Sequence, residues 1–241
     1  MAKPTAAMLL EKIKGTPVFG MQAVRRLTGK DAPYARLLLH RLAKTGRIRR
    51  IERGRFTISD DPFAIASRII TPSYISLWSA LQFYGLTEQL PKDVFVTANR
   101  QKKQIVFADT RIRFVFQKRL LPFRRLGYRN MEIFIAEPET AIVESLMHQQ
   151  HVPVNEAVKA LQSGKINFAR LKWIANGTGN VSLLKRLGFI LEKIHAPKII
   201  AQPQPGPTNI ALLDLNMPAG GHIDERWGIL DNNEAVFHDI L

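Results

Sequence analysis

Three short amphipathic segments open this chain, and their spacing restricts its fold more than any other feature of the sequence. Apolar residues recur at helical intervals within 5–14, again within 21–27, and again within 32–45. Gly15, Gly29 and Gly46 stand where each segment stops, as glycines at helix ends commonly do. The sequence therefore predicts three short helices that pack through one apolar face each.

A strongly basic hairpin is predicted directly after the third helix. Ile48 with Ile51, and Phe56 with Ile58, indicate two short strands around the tip Glu52-Arg53-Gly54. Three helices followed by a basic hairpin are typical of a winged helix-turn-helix domain. In such a domain the third helix enters the major groove of DNA, and the hairpin contacts the backbone or the minor groove.

The third helix and the hairpin supply the candidate DNA-binding residues. Residues 36–55 hold eight Lys and Arg against a single acid, Glu52. Ordinary soluble surfaces mix both signs, so this excess favours contact with phosphate. RNA is the other possible polyanion, although the sequence has neither an RNP-type aromatic pair nor a GXXG loop. The candidates are Lys30, Tyr34, Arg36, His40, Arg41, Lys44, Arg49, Arg50, Arg53 and Arg55.

The net charge of +15 is concentrated in two blocks of the sequence. Residues 1–60 carry 14 Lys and Arg against 4 Asp and Glu, and residues 97–130 carry 10 against 1. The remaining segments are nearly neutral, except for an acidic tail at 201–241. This distribution favours a polyanionic partner, with nucleic acid ahead of an acidic membrane.

The second basic block, residues 97–130, permits two interpretations. Most of its cations fall on predicted connections, while two Arg share one face of a predicted strand. The block is either an additional nucleic-acid surface or a docking surface for an acidic or RNA-loaded partner, and the sequence leaves both open. The candidate residues are Arg100, Lys102, Lys103, Arg111 and Arg113.

The rest of the chain predicts an α+β fold with a helical section. Ser73 is expected to cap a buried helix over 74–84. Four strands are expected at 94–97, 104–107, 112–116 and 131–136. Further helices are expected at 137–147, 153–162, 167–175 and 179–193, followed by a Pro-rich linker at 203–207 and short strands at 210–215 and 227–230.

This pattern divides the chain into a winged helix-turn-helix domain at 1–60, a connector at 61–72 and a mixed α/β domain at 73–241. The N-terminus lacks the apolar run of a signal peptide, and no stretch approaches the roughly 18 apolar residues that span a bilayer. We therefore expect a cytoplasmic protein that does not enter membranes.

Motifs of the common enzyme classes are missing from the sequence. There is no Cys, which excludes a disulfide scaffold, a thiol nucleophile and Cys-ligated zinc. There is also no G-x-S-x-G elbow, Walker loop or G-x-G-x-x-G turn. His148 and His151 have no nearby carboxylate at metal-binding spacing. We expect no catalytic residues, no cofactor and no metal.

Two other functional classes remain open. A nuclease with a winged-helix targeting domain would need carboxylates around Mg²⁺, and Asp93, Asp109 and Glu132 lie close to predicted strands. None of them is followed by the E-x-K pattern that is common in such sites. A winged-helix regulator whose C-terminal domain senses a ligand is the third possibility.

Several short motifs occur along the chain in an order that is distinctive when they are taken together. They are Gly54-Arg55-Phe56, the segment from Ser73 to Leu81 (SYISLWSAL) with Tyr84-Gly85-Leu86, Val94-Phe95-Val96-Thr97, Leu213-Asp214-Leu215, and Arg226-Trp227-Gly228-Ile229-Leu230. Together they resemble the AbiEi family, the antitoxin and repressor half of type IV toxin–antitoxin systems. The resemblance covers nearly the whole chain.

The resemblance implies two roles. The N-terminal domain would bind inverted repeats of double-stranded DNA in its own promoter and repress the operon. The C-terminal domain would counter a nucleotidyltransferase-type toxin, an effect that in this family is thought not to require a stable complex.

Overall fold

The fold of the protein is mixed α+β in a computed structural model that describes residues 6–201 and 210–240. The Pro-rich linker predicted at 203–207 lies outside the described residues. Within the described ranges, no helix is both long and apolar enough to cross a membrane.

The N-terminal segment forms three helices and a hairpin, as the periodicity predicts. The Asp31 side chain caps the third helix by accepting a hydrogen bond from the Tyr34 backbone N–H at 3.0 Å. Gly54 takes a positive φ of 78° at the hairpin tip, a conformation that glycine adopts without strain. The elements are α1 (Ala6–Ile13), α2 (Met21–Thr28), α3 (Ala32–Lys44), β1 (Arg49–Glu52) and β2 (Arg55–Thr57).

These N-terminal elements share a hydrophobic cluster of their own. The predicted inner face of α3 is confirmed, because Ala35, Leu39 and Leu42 are buried and Leu38 packs against them. Phe19 and Phe56 exchange two backbone hydrogen bonds, which join the α1–α2 connection to the hairpin. The buried members are Leu9, Ile13, Phe19, Val24, Ala35, Leu39, Leu42 and Ile48.

A six-stranded mixed sheet follows in the chain, in the order β5-β6-β4-β3-β8-β7. Strand β4 is buried along its whole length, since it pairs with β3 on one side and β6 on the other. The strands are β3 (Ser73–Ile75), β4 (Val94–Ala98), β5 (Ile105–Phe107), β6 (Thr110–Phe116), β7 (Phe123–Tyr128) and β8 (Met131–Ala136), and the short helix α4 (Pro62–Ala66) precedes them.

The helical section is present, and its helices after α5 lie close to the predicted bounds. It consists of α5 (Leu77–Phe83), α6 (Pro138–Met147), α7 (Val154–Gln162), α8 (Phe168–Gly177) and α9 (Val181–Lys193). A small sheet in the order β10-β11-β9 and a short 3-10 helix follow it. These elements are β9 (Ala211–Leu212), β10 (His222–Asp224), β11 (Ile229–Asp231) and the 3-10 helix Glu234–Ile240.

One predicted element was wrong at its start, and one strand was missed. Residues Ser73–Ile75 form a strand, and the helix begins only at Leu77, because a segment that is apolar on every side fits a doubly buried strand as well as a buried helix. Strand β7 was assigned to a connection, because an edge strand that carries Arg124 and Arg125 has no apolar alternation to reveal it.

The contacts divide the chain into two compact units that interleave along the sequence. One joins Met1–Ile75, Lys92–Leu120 and Arg124–Ile135, and the other joins Ser76–Pro91, Leu121–Phe123 and Ala136–Leu241. The predicted domain at 73–241 is therefore shared between the units, and the predicted connector at 61–72 lies inside the first one. Ala64, Ile65 and Ile69 in that connector are at most 1% exposed.

Candidate nucleic-acid interface

A groove of about 720 Å³ lies between α3 and the β1–β2 hairpin. Helix α3 supplies one wall and the hairpin supplies the other. The apolar part of its lining consists of Met21, Leu39, Ala43 and Phe56. The polar part consists of four predicted DNA-binding residues, which are Arg36, His40, Arg50 and Arg53. The fold thus brings together cations that are up to 17 positions apart in the sequence.

A second set of predicted residues follows a different line along α3. Tyr34 and Leu37 are 37% and 49% exposed, and Arg41 and Lys44 continue the same helical stripe toward its C-terminal end. None of these four side chains lines the groove. Lys30 lies in the short connection between α2 and α3, where it is exposed. Helix α3 therefore presents two polar surfaces, one inside the groove and one outside it.

Most cations of the first basic block are not neutralised by acids. Arg49 lies 2.7 Å from Asp60, and Arg55 lies 3.3 Å from Glu52. Arg50 donates a hydrogen bond to the backbone carbonyl of Glu52 and makes no ion pair with a described acid. Across the described residues, no acid pairs with the remaining predicted cations, which are Lys30, Arg36, Arg41, Lys44 and Arg53.

Sequence reasoning left three further cations out of this site. Arg25 and Arg26 are exposed in the last turn of α2, and Arg47 is exposed between α3 and β1. None of the three has an acid partner in the described part of the chain. Arg25 and Arg26 lie on the second predicted helix, which was not assigned a DNA-binding face, and Arg47 lies between two predicted elements, although the excess of positive charge in residues 1–60 includes all three.

At least five of the ten cations in the second basic block contact an acid among the described residues, a larger share than in the first block. Arg111 and Arg113 share one face of β6, as predicted, and both contact the carboxylate of Asp93. Each acid partner of this block comes from outside residues 97–130, so a count by segment could not detect the pairing. The other pairs are Lys102–Glu52 at 2.7 Å, Arg125–Glu132 at 3.6 Å and Arg129–Asp61 at 2.9 Å.

Two of the predicted residues in this block keep their charge exposed. Arg100 and Lys103 follow β4 and are both exposed, and neither makes an ion pair with a described residue. The five candidates of the second block therefore separate into a neutralised group on β6, a Lys102 that is tied to the hairpin, and two open cations.

Two of the three carboxylates considered for a nuclease site contact Arg side chains. Asp93 contacts two Arg side chains, and Glu132 lies 3.6 Å from both Arg68 and Arg125. Asp109 sits at a tight turn with a positive φ of 61°. No group of three or more His, Asp or Glu that could hold a metal ion occurs among residues 6–201 and 210–240.

His148 lies at the end of α6, where burial governs its ionisation. Desolvation, together with the neighbouring His151, lowers the pKa of His148 to about 4. The imidazole is therefore neutral at physiological pH.

The Arg226-Trp227 motif holds the C-terminal strands against α9. The Trp227 indole N–H donates to a carboxylate oxygen of Glu192 at 2.8 Å, and Arg226 lies 2.6 Å from the other oxygen. The hydrogen bond from Trp227 is the largest cause that holds the pKa of Glu192 below its usual value, and the contact with Arg226 adds to it. Trp227 is 4% exposed, so its ring belongs to the core.

The fold is similar to that of a solved structure. The crystal structure of the RV2827C protein from Mycobacterium tuberculosis matches with a TM-score of 0.59, covering 98% of this chain and 94% of that one. The two sequences are 13% identical, so the similarity concerns the fold alone. No protein-family model matches the chain, and no curated protein matches it. The resemblance to the AbiEi family stays a prediction.

Proposed function

We propose that residues 6–58 form a winged helix-turn-helix that binds double-stranded DNA and represses transcription from the site it binds. The observation that carries this proposal is the groove between α3 and the hairpin, whose polar lining consists of cations and His40 without a neutralising acid. A phosphate backbone is the polyanion that such a groove fits, because charge-assisted contacts to phosphate need cations that are not already paired.

The two polar surfaces of α3 have different roles in this proposal. When a recognition helix occupies the major groove and the hairpin meets the adjacent minor groove, one phosphate strand passes between them. Arg36 and Arg53 in the groove would contact that strand. Arg41 and Lys44, which lie outside the groove with Leu37, would face base edges, where Arg and Lys read guanine and apolar groups meet the thymine methyl.

We propose in addition that the protein acts as the antitoxin of a nucleotidyltransferase-type toxin. The support for this role is the resemblance of the segments around Ser73–Leu86 and Arg226–Leu230 to the AbiEi family. Co-expression with a toxin of this type encoded beside its gene tests the role. We expect growth to recover, and unchanged toxicity at equal toxin levels would contradict it.

Selection from a random duplex library tests the DNA-binding role and identifies the bound sequence in the same experiment. We expect the full chain to enrich an inverted repeat and to bind it more tightly than a scrambled duplex. Replacing Arg41 and Lys44 by Ala should cost about 1–3 kcal/mol for each lost base contact on the enriched sequence, and much less on the scrambled one.

Equal affinity for the enriched and scrambled duplexes would contradict specific recognition. Tighter binding of an RNA hairpin than of any duplex DNA would favour the RNA alternative instead.

A further inference from the structure

A shallow pocket of about 470 Å³ lies where β6 extends beyond its edge strand. Strand β5 starts at Ile105, which pairs with Ile112, so the later residues of β6 have no partner on that side. Phe114 and Phe116 are two positions apart and therefore lie on one face of the strand. The loop that precedes β5 completes the pocket with Gln101, Lys102 and Lys103.

The pocket has an aromatic surface that is open to solvent. Phe116 is 47% exposed and lines the pocket together with Lys103, so its ring is accessible from solvent beside a cation. The Lys102 ammonium lies 5.6 Å from the centroid of the Phe114 ring, within the range of a cation–π contact. An exposed ring beside fixed positive charge is the combination that binds flat, anionic ligands.

The charges around this pocket differ from those in the rest of the second block. Lys102 is held in place by Glu52, while Arg100 and Lys103 keep exposed charges without an acid partner among the described residues. Of these two open cations, Lys103 lines the aromatic pocket, and Arg100 directly precedes the pocket residue Gln101 in the sequence.

We propose that this pocket is a second binding site, for single-stranded nucleic acid. An unpaired base would stack on Phe116, and the flanking phosphates would meet Lys103 and Arg100. The Gln101 amide, with both a donor and an acceptor, would contact the edge of the base. This site goes beyond the proposed repressor function, because it has a different ligand from the groove at α3.

A single strand fits these features better than a duplex does. The bases of a duplex are already stacked on one another, whereas an unpaired base presents a free face to an aromatic side chain. Stacking of this kind tolerates any base, so the site would require little sequence specificity. A duplex would use the cations alone and would leave the exposed ring of Phe116 without a role.

Fluorescence anisotropy of a labelled oligothymidylate with the full-length protein tests the proposal. We expect Phe116→Ala to weaken binding about tenfold, the loss expected for one base–aromatic stack, and Phe116→Trp to keep it. Val106→Ala is the matched control, because Val106 is 65% exposed on β5 and does not line the pocket. It should leave the affinity unchanged.

A second variant tests the phosphate contacts without touching the aromatic ring. Arg100→Gln with Lys103→Gln should reduce the dependence of log K on log salt by about 1.4, at about 0.7 for each phosphate of a single strand. Both side chains are exposed, so the double variant should unfold at the same temperature as the wild type.

Three results would overturn the proposal. The first is that the wild type does not bind oligothymidylate. The second is that Phe116→Ala and Val106→Ala weaken oligothymidylate binding equally. The third is that Phe116→Ala weakens duplex binding as much as single-strand binding. The last result would assign the pocket to the duplex footprint. Loss of duplex binding in the Arg36 and Arg53 variants, with oligothymidylate binding retained, would separate the two sites.

Discussion

The Lys102 ammonium lies 2.7 Å from a carboxylate oxygen of Glu52, and the pair joins two basic segments that are 50 positions apart in the sequence. Glu52 ends β1, and its other oxygen lies 3.3 Å from Arg55 across the hairpin tip. One acid therefore orients a cation of each basic block. Because the Lys102 and Glu52 side chains are only 17% and 26% exposed, solvent screens this pair less than it screens a surface pair.

A double-mutant cycle measures the Lys102–Glu52 interaction. With Lys102→Met and Glu52→Gln we expect a coupling of about 1 kcal/mol in the free energy of unfolding, from urea titrations. The control pair is Lys14 and Glu11, which are 3.8 Å apart and more than 70% exposed, and their coupling should be near zero. Equal couplings in the two cycles would show that the hairpin is not held by this contact.

A fragment of residues 1–60 should fold by itself. The eight buried residues of the N-terminal cluster all lie between Leu9 and Ile48, so the fragment keeps its own core. Circular dichroism should find helical signal and a cooperative thermal transition. A fragment of residues 1–70 should be less soluble. It adds the apolar residues Ile65 and Ile69, which are buried in the full chain, but it lacks the strands β4 and β6 against which α4 packs. A non-cooperative melt of the 1–60 fragment would contradict this expectation.

Stability should fall when the pH drops from 7 to 5. The unfolded His148 binds a proton near pH 6.5, whereas the lowered pKa of about 4 keeps the folded residue neutral. Below pH 6.5 protons bind preferentially to the unfolded chain. The contribution of His148 to the free energy of unfolding is therefore fully present above pH 6.5 and is lost as the pH approaches 4. We expect this residue to account for about 2 kcal/mol between pH 7 and pH 5 in urea titrations.

Replacing His148 by Gln should flatten that pH dependence. Exposed His222 supplies the matched control, since His222→Gln should keep the wild-type profile. The same slope in the His148 variant as in the wild type would assign the effect to other groups.

Gly188→Ala should destabilise the protein by about 3 kcal/mol, the upper range for overpacking a core. A Cβ atom at this position would lie 2.1 Å from the ring of Trp227. Gly177→Ala is the control, because a Cβ there meets no atom within 4 Å, and Ala is the better helix former. Similar unfolding free energies for the two variants would mean that the tail shifts to accommodate the methyl group.

The sequence predicted local structure well where one face of an element is apolar and a clear end signal follows. Helix α3 is the best case, because Asp31 caps it and its leucines mark the buried side. The prediction at Ser73–Ile75 was wrong, because burial on all sides removes the periodicity that distinguishes a strand from a helix. Edge strand β7 was missed for the opposite reason. Its residues are mostly exposed, and its Arg residues resemble those of a loop.

The candidate site was predictable in its residue types but not in its pairing. The two Arg on β6 were correctly placed on one face, yet their neutralisation by Asp93 depends on strand pairing between distant segments. The contact of Lys102 with Glu52 and the packing of Gly188 under Trp227 are likewise long-range. No local pattern encodes which acid will approach which cation, so charge counted along the chain overstated the open charge of the second block.

In the proposed function, the groove cations Arg36 and Arg53 contact the phosphates of duplex DNA. The most direct measurement is the salt dependence of duplex affinity for Arg36→Gln with Arg53→Gln, compared with Lys12→Gln with Lys172→Gln. Both double variants remove two exposed positive charges, but only the first pair lies in the groove. We predict that the groove variant lowers the slope of log K against log salt by about 2, at about 0.9 for each phosphate, while the control keeps the wild-type slope. Equal changes in the two variants would mean that DNA responds only to the overall field of the protein, and would contradict the assignment of the groove.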